Sequence, residues 1–244
     1  MRKNLRWMVG GVVCLLAAVA AYMLAMGMMD SIYAYRSPLH DNPPQAGGQV
    51  GEPLSERVVF VLIDALRLDT AYDAEIMPYL NELRTQAAWA EMNSRQPSYS
   101  ATGYSVIFTG AWPELSDGPV FNLETLDIPA WTQDNLFSAA HRAGLQTAVS
   151  GYEWFEKLIP AGAVTAGYYT PGEDRVADRE AVDAALPWLS SGEYALVLIH
   201  LDQVDYAGHH EGGAADPNWD AAARRSDDLL REIAAQLDLS RDTL

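Results

Sequence analysis

Three separated stretches carry residues able to hold a cation or attack an electrophile. "VVFVLID" closes on Asp64, the first carboxylate after a β-branched run. "QPSYSATGYSVIFTG" carries Ser100 directly before a segment of helical character, and "IHLDQVDYAGHHEGG" carries Asp205 and His209 four residues apart. Each has a plain structural explanation. A strand-terminal Asp serves as a cap or turn residue, and a serine before a helix is an N-cap. The chemical readings differ. Free N–H groups at a helix start face an anion, so a phosphate can rest against Ser100 Oγ. A hydroxyl is a poor nucleophile until a base or metal lowers its pKa. Ser98 and Thr102 lie close enough to compete for that role. A carboxylate and an imidazole just past a strand suit zinc or a similar divalent ion, with Gly208 read as a tight turn before His209. His210 is the alternative ligand. His200, at a strand end, reads as a satisfied half-buried histidine, His141 as a helix-surface residue and His40 as a solvated linker residue.

The elements that must position these residues follow from pattern. "RVVFVLID" (57–64) and "YALVLIHLD" (194–202) are continuously apolar, as in strands buried on both faces, and "QTAVSG" follows as a third. Helical periods cover 77–90, with Pro78 in the first turn, 100–110 ending at Gly110, 134–145 with Gly144 as C-cap, 179–189, and 220–237 with Leu229, Ile233 and Leu237 on one stripe. Alternating strands and helices predict an α/β fold, a mostly parallel central sheet covered by helices on both faces, with ligands beyond the carboxyl ends of the strands. No GxGxxG follows the first strand, which argues against a dinucleotide enzyme.

Residues 7–29 contain no charge, and about 20 apolar residues span a bilayer. Arg2, Lys3 and Arg6 precede this run, placing residues 1–6 as a cytoplasmic basic tail and the remainder outside the cytoplasm. The run is longer than the apolar region of a cleaved signal peptide, so it reads as a signal anchor. "GVVC" before Cys14 lacks the leucine and small residue of a lipoprotein site. Cys14 is the only cysteine and lies in the anchor, so the exported domain has no disulfide and no zinc-cysteine site. All 33 acidic residues follow position 29, against 13 basic ones, a net of −20 that disfavours nucleic acid and anionic lipid and accommodates cations. Residues 30–56, rich in Pro, Gly and polar residues from Ser37 on, read as a flexible tether to a domain over 57–244.

Taken together, "VVFVLIDALRLD", "MPYLNEL", "PSYSATGYSVIFTGAWPE" and "VDYAGHHEG" resemble the alkaline phosphatase superfamily. The similarity is to its type I phosphodiesterase/nucleotide pyrophosphatase branch and to the glycolipid-anchor (GPI) ethanolamine-phosphate transferases, over about residues 57–244. The resemblance implies two divalent metal ions, zinc or alternatively manganese, and a phosphate-ester substrate, small or lipid-linked. It implies Asp64 as a ligand of the first ion, shared with the nucleophile Ser100, Asn122 as holder of a phosphoryl oxygen, and Asp205 and His209 as ligands of the second ion. The implied reaction is a double displacement through a phosphoseryl intermediate. "SATGY" lacks the Pro and Arg of the sulfatase pattern, which disfavours sulfate esters.

The family also has an Asp-His pair and a further histidine beyond the final helix, where this chain reaches "LDLSRDTL". The chain therefore reads as the N-terminal part of a longer enzyme, inactive by itself because three charged or imidazole ligands cannot close two metal sites. The rival readings are a membrane-tethered binding domain that retains only the scaffold, and a phosphoethanolamine transferase or phosphomonoesterase on the same fold. Trp112, Tyr152, Trp154 and Phe155 are candidates for either pocket lining or core.

Overall fold

The computed structural model describes residues 2–48, 51, 52, 54–96 and 98–244. Residues 49, 50 and 53 of the expected tether, and Pro97 of the serine motif, lie outside the described residues. Helix α1 (Arg2–Tyr33) covers the apolar run and exceeds it at both ends. At 1.5 Å per residue it is about 48 Å long, against a hydrocarbon core of about 30 Å. Its side chains from Asn4 to Tyr33 are almost all exposed, and it is long and apolar enough to cross a membrane.

The remaining chain alternates as the pattern predicts. Strands β1 (Arg57–Ile63), β2 (Thr147–Tyr152), β3 (Ala166–Thr170), β4 (Leu196–Leu201) and β5 (Asp242–Thr243) form one parallel sheet in the order β3-β2-β4-β1-β5. The two continuously apolar strands are adjacent, with Val58 opposite Leu196 and Ile63 opposite Leu201. Alternation along them divides the core. Leu196 and Leu198 join Tyr104, Phe108, Phe137 and Phe155 under α4 (Ser100–Thr109), α6 (Leu136–Arg142) and α7 (Trp154–Leu158). Val197, Ile199 and Leu201 join Val182, Leu189, Leu229 and Ile233 under α8 (Arg175–Ser191) and α10 (Pro217–Ala234). Helices on both faces are therefore present.

Several elements depart from expectation. The helix expected over 77–90 is α3 (Pro78–Arg84) only, following the short α2 (Leu68–Tyr72). Asp227 of α10 accepts from the amides of Tyr79 and Leu80 and caps its start. Thr85 Oγ1 bonds Glu82 O at its end, and Trp89 packs edge-on to Tyr72, with Arg84 stacked on both rings. Helix α8 is longer than 179–189 because Asp174 caps two of its amides. Strand β3, "AGYYT", was not anticipated: its half-exposed edge position shows no apolar run. The segment after β4 is helix α9 (Gln203–His210), not a tight turn. Gly208 lies inside it, where a Cβ would stand 2.9 Å from Trp219 Cζ3. Close packing, rather than a turn, requires glycine there.

The expected tether is docked near its start. The short helix α5 (Pro113–Ser116) ends at Asp117, which is in the left-handed region at φ 58°. Its carboxylate accepts from Arg36 Nη2 (2.6 Å), the Ser37 amide (2.7 Å) and Thr132 Oγ1 (2.9 Å), and contacts His40 Nδ1 at 2.6 Å. His40 is thus an anchoring residue and not a solvated one, because it meets a buried carboxylate that needs donors.

Candidate active site

Strand parity decides what meets at the carboxyl edge of the sheet. Phe60 and Leu62 of β1 pack on the α4 side, so Asp64, next in the alternation, belongs there; Leu196 and Leu198 of β4 place His200 there as well. The two strand ends lie side by side, with Asp64 N donating to Leu201 O at 2.9 Å. Helix α4 covers this edge. Its Tyr104 hydroxyl donates to Asp64 Oδ2 at 2.7 Å and lies 2.8 Å from His200 Nε2. Phe155 stacks on Tyr104 and meets His200 edge-on, so of the four aromatic candidates this one is core. Asp64 Oδ1 accepts from the following amide at 2.7 Å, a contact made with Ala65 at φ 56°.

Asp202 follows β4 directly. Ligand atoms of Asp64, His200 and Asp202 all lie within 4.8 Å of one another. Asp202 precedes α9 but its side chain does not cap it. Its amide is held instead by Asp178 Oδ1 (2.7 Å), and Asp178 Oδ2 accepts from Gln203 N and Nε2, while Gln203 Oε1 accepts from Arg225 Nε. That buried network fixes the strand-to-helix turn and leaves the Asp202 carboxylate aimed elsewhere. Among the described residues, Asp202 Oδ1 and His200 Nδ1 are buried atoms with no hydrogen-bond partner.

The electrostatics point the same way. Burial pushes the Asp202 carboxyl up to about 9, reinforced by Asp64, Asp205 and Glu173. Burial and Asp64 push Asp205 up to about 6, with His209 opposing. Burial draws His200 down to about 4 although Asp64 opposes it, and burial and Asp64 raise the Tyr104 phenol well above its ordinary value. Carboxylates that favour protons beside a neutral imidazole form a site short of positive charge, which a divalent cation would supply. Two carboxylates and one imidazole, with an orphaned buried oxygen, fit such an ion.

Of the expected residues, Asp64 belongs to this cluster, and the others lie on α4, α9 and the loop after α5. Ser100 opens α4 as its first helical residue, with Tyr99 rather than Ser100 in the cap position. Among the described residues its hydroxyl makes no hydrogen bond, whereas Thr102 is buried and donates to Pro119 O at 2.9 Å, and Ser98 is exposed in the preceding coil. Ser100 and Tyr104 are four apart on one helix face, one turn from each other, and Tyr104 is the residue of that face that bonds Asp64. Asn122 Oδ1 accepts from the Ala101 amide at 3.1 Å, so its Nδ2 is the end left to donate beside Ser100. Asp205 and His209 lie one turn apart on α9, with His209 Nε2 3.6 Å from Asp205 Oδ1. His209 is the most peripheral of the set, its side chain 73% exposed. His210 meets the Tyr206 ring at a tilt, 4.7 Å between centroids, and His141 is exposed on α6 as read.

His200 departs from its reading as a satisfied half-buried residue. It is 1% exposed, with one ring nitrogen unpaired. Asp202 and Tyr104 were not singled out from sequence. Asp202 closes the apolar run 194–202 and Tyr104 stands one helical turn after Ser100; strand parity from Phe60 and Leu198 is the signal that locates their neighbours.

The profile of the family described as "Type I phosphodiesterase / nucleotide pyrophosphatase" matches residues 58–243. The human GPI ethanolamine phosphate transferase 2 catalytic subunit is 27% identical over 169 residues, covering 66% of this chain and 17% of the transferase. The human GPI ethanolamine phosphate transferase 3 catalytic subunit is 25% identical over 212 residues, covering 77% and 19%. The chain thus spans about a fifth of the length of these relatives. Among solved structures, phosphonoacetate hydrolase from Sinorhizobium meliloti 1021 superposes with a TM-score of 0.58 at 16% identity, covering 75% of this chain and 55% of that one. Murine ectonucleotide pyrophosphatase/phosphodiesterase 5 gives 0.55 at 18%, covering 74% and 52%. At that identity the likeness is one of fold.

Proposed function

Since the chain belongs to the type I phosphodiesterase/nucleotide pyrophosphatase family, we propose that it is the nucleophile-bearing part of a membrane-anchored, metal-dependent phosphoryl hydrolase or transferase acting outside the cytoplasm. The observation that supports it is a helix-start serine one turn before Tyr104, whose hydroxyl bonds Asp64 of the largely buried Asp64–His200–Asp202 cluster. The substrate is a phosphodiester or pyrophosphate, and the acceptor is water or an alcohol.

Two divalent cations, zinc or manganese, would lower the pKa of the serine hydroxyl and offset phosphate charge when bound. Asp64, His200 and Asp202 are suited to one, and Asp205 with His209 to the other. Ser100 Oγ attacks phosphorus, the bond to the leaving oxygen breaks, and a phosphoseryl ester forms. Water or an acceptor hydroxyl then attacks phosphorus and the Ser100 Oγ–P bond breaks, restoring the enzyme. The α4 N-terminus and Asn122 Nδ2 donate to non-bridging oxygens as charge grows on them.

Cleavage of bis(4-nitrophenyl) phosphate by the complete gene product tests this. Ser100→Ala is expected to lower kcat by about a thousandfold or more and to abolish acid-stable labelling of the protein by a radioactive phosphodiester. Unchanged turnover would remove Ser100 as nucleophile. Elemental analysis of the purified 244-residue chain showing neither zinc nor manganese would favour a binding scaffold.

A further inference from the structure

Tyr104 has one hydroxyl hydrogen and two polar neighbours. That hydrogen goes to Asp64 Oδ2 at 2.7 Å, since a carboxylate can only accept. The 2.8 Å contact with His200 Nε2 must then run the other way, from an imidazole N–H into the phenol oxygen. A neutral imidazole has one N–H, so Nδ1 is left with its lone pair. A second proton there would be buried without an acceptor, since Nδ1 has no partner among the described residues. His200 and Tyr104 are 1% and 3% exposed, so water does not compete for these bonds.

The geometry points to Tyr104 as a positioning residue: its hydroxyl bridges Asp64 and His200, holds His200 as the Nε2–H tautomer, and so makes Nδ1 the nitrogen open to a cation. Phe155 and the sheet hold the two rings, stacked at 4.8 Å and edge-on at 5.2 Å. The hydrogen-bond chain runs His200 Nε2–H to Tyr104 Oη–H to Asp64 Oδ2 and fixes both groups from one side. The position four residues after Ser100 thereby links the nucleophile helix to the cluster. The cation half of this inference rests on the proposed metal-dependent function; the tautomer half does not.

The test uses the full chain in detergent micelles with 15N-labelled histidine, the His200 signal being assigned by substituting the other four histidines singly. Without metal, the wild type is expected to show His200 protonated at Nε2 and bare at Nδ1. Tyr104→Phe, which keeps the ring stack, is expected to mix the tautomers and to weaken zinc binding, followed by calorimetry, about tenfold or more. An Nδ1–H tautomer in the wild type, or Tyr104→Phe with an unaltered tautomer, would overturn the positioning role. So would the predicted tautomer with zinc shifting only Nε2. Failure of the wild type to bind zinc, with the tautomer and its loss in Tyr104→Phe as predicted, would support the bridge and sink the metal reading of the site instead.

Discussion

Residues two positions apart on one helix have opposite fates here. Ser100 presents an uncommitted hydroxyl at the start of α4, while Thr102 turns inward and donates to the carbonyl of Pro119. Spacing in the sequence does not separate them; burial does. Thr102→Ala leaves the Pro119 carbonyl short of a donor, at a cost of about 1–3 kcal/mol in stability, but should retain turnover of bis(4-nitrophenyl) phosphate within a few-fold. Denaturant unfolding and the same assay on the complete gene product check both halves. Loss of turnover with stability intact would move the nucleophile to Thr102. Asp64 could be placed at the reactive edge from its strand, and its parity with Phe60 and Leu62 even gives its face. Asp202 could not, because a single carboxylate closing an apolar run is as readily a cap or turn residue. Only Asp178, 24 residues upstream, takes the Asp202 amide and leaves its side chain unoccupied by that task.

At the scale of elements, the strongly apolar strands and the helices with clear stops were legible: β1, β4, α4 with Gly110, and α6 with Gly144. The elements that were missed or misjudged depend on contacts from elsewhere. Strand β3 is an edge, so half its side chains see solvent and no apolar run marks it. Helix α9 carries a glycine that weakens the helical signal, and its reason lies in Trp219, eleven residues later. Trp219 itself is fixed by its indole N–H donating to Thr70 Oγ1 at 3.1 Å. Gly208→Ala should therefore not bring the usual helix gain. Overpacking against the ring costs about 1–3 kcal/mol and helix propensity returns about 1 kcal/mol, for a net loss of about 1 kcal/mol. Thermal unfolding of the metal-free chain measures it. A net gain would mean that Trp219 yields freely and that α9 is held by other contacts.

At the scale of the whole molecule, the docked stalk matters most, because it ties the apolar helix to the domain through Asp117. Composition makes residues 30–56 look like free chain, yet Ser37 is buried and four donors from Arg36, Ser37, His40 and Thr132 surround one carboxylate. Burial pushes the Asp117 carboxyl up, but the hydrogen bonds from His40, Ser37 and Thr132 and the charge of Arg36 outweigh it and hold its pKa below the ordinary range. The folded value is the lower one. The clamp's contribution is therefore fully present above the unfolded carboxylate pKa of about 3.9 and is lost as pH falls through the depressed value. Amide exchange at Ser37, whose N–H donates to Asp117 Oδ1, reports the clamp directly. Protection should be constant from pH 5 to 7 once corrected for intrinsic exchange, and should fall below pH 4. Asp117→Asn keeps a residue that tolerates the left-handed backbone but sets an amide NH2, which cannot accept, where Oδ2 takes Arg36, His40 and Thr132, a loss of about 1.5 kcal/mol or more or about tenfold or more in Ser37 protection. Unchanged protection in that variant would mean that Ser37 Oγ on the Glu114 carbonyl and Gln133 on the Leu39 carbonyl hold the stalk without the charge. In either case the docked stalk fixes where the apolar helix enters the domain, and the rings of Tyr33 and Tyr99 meeting on Phe121 put that entry beside the start of α4.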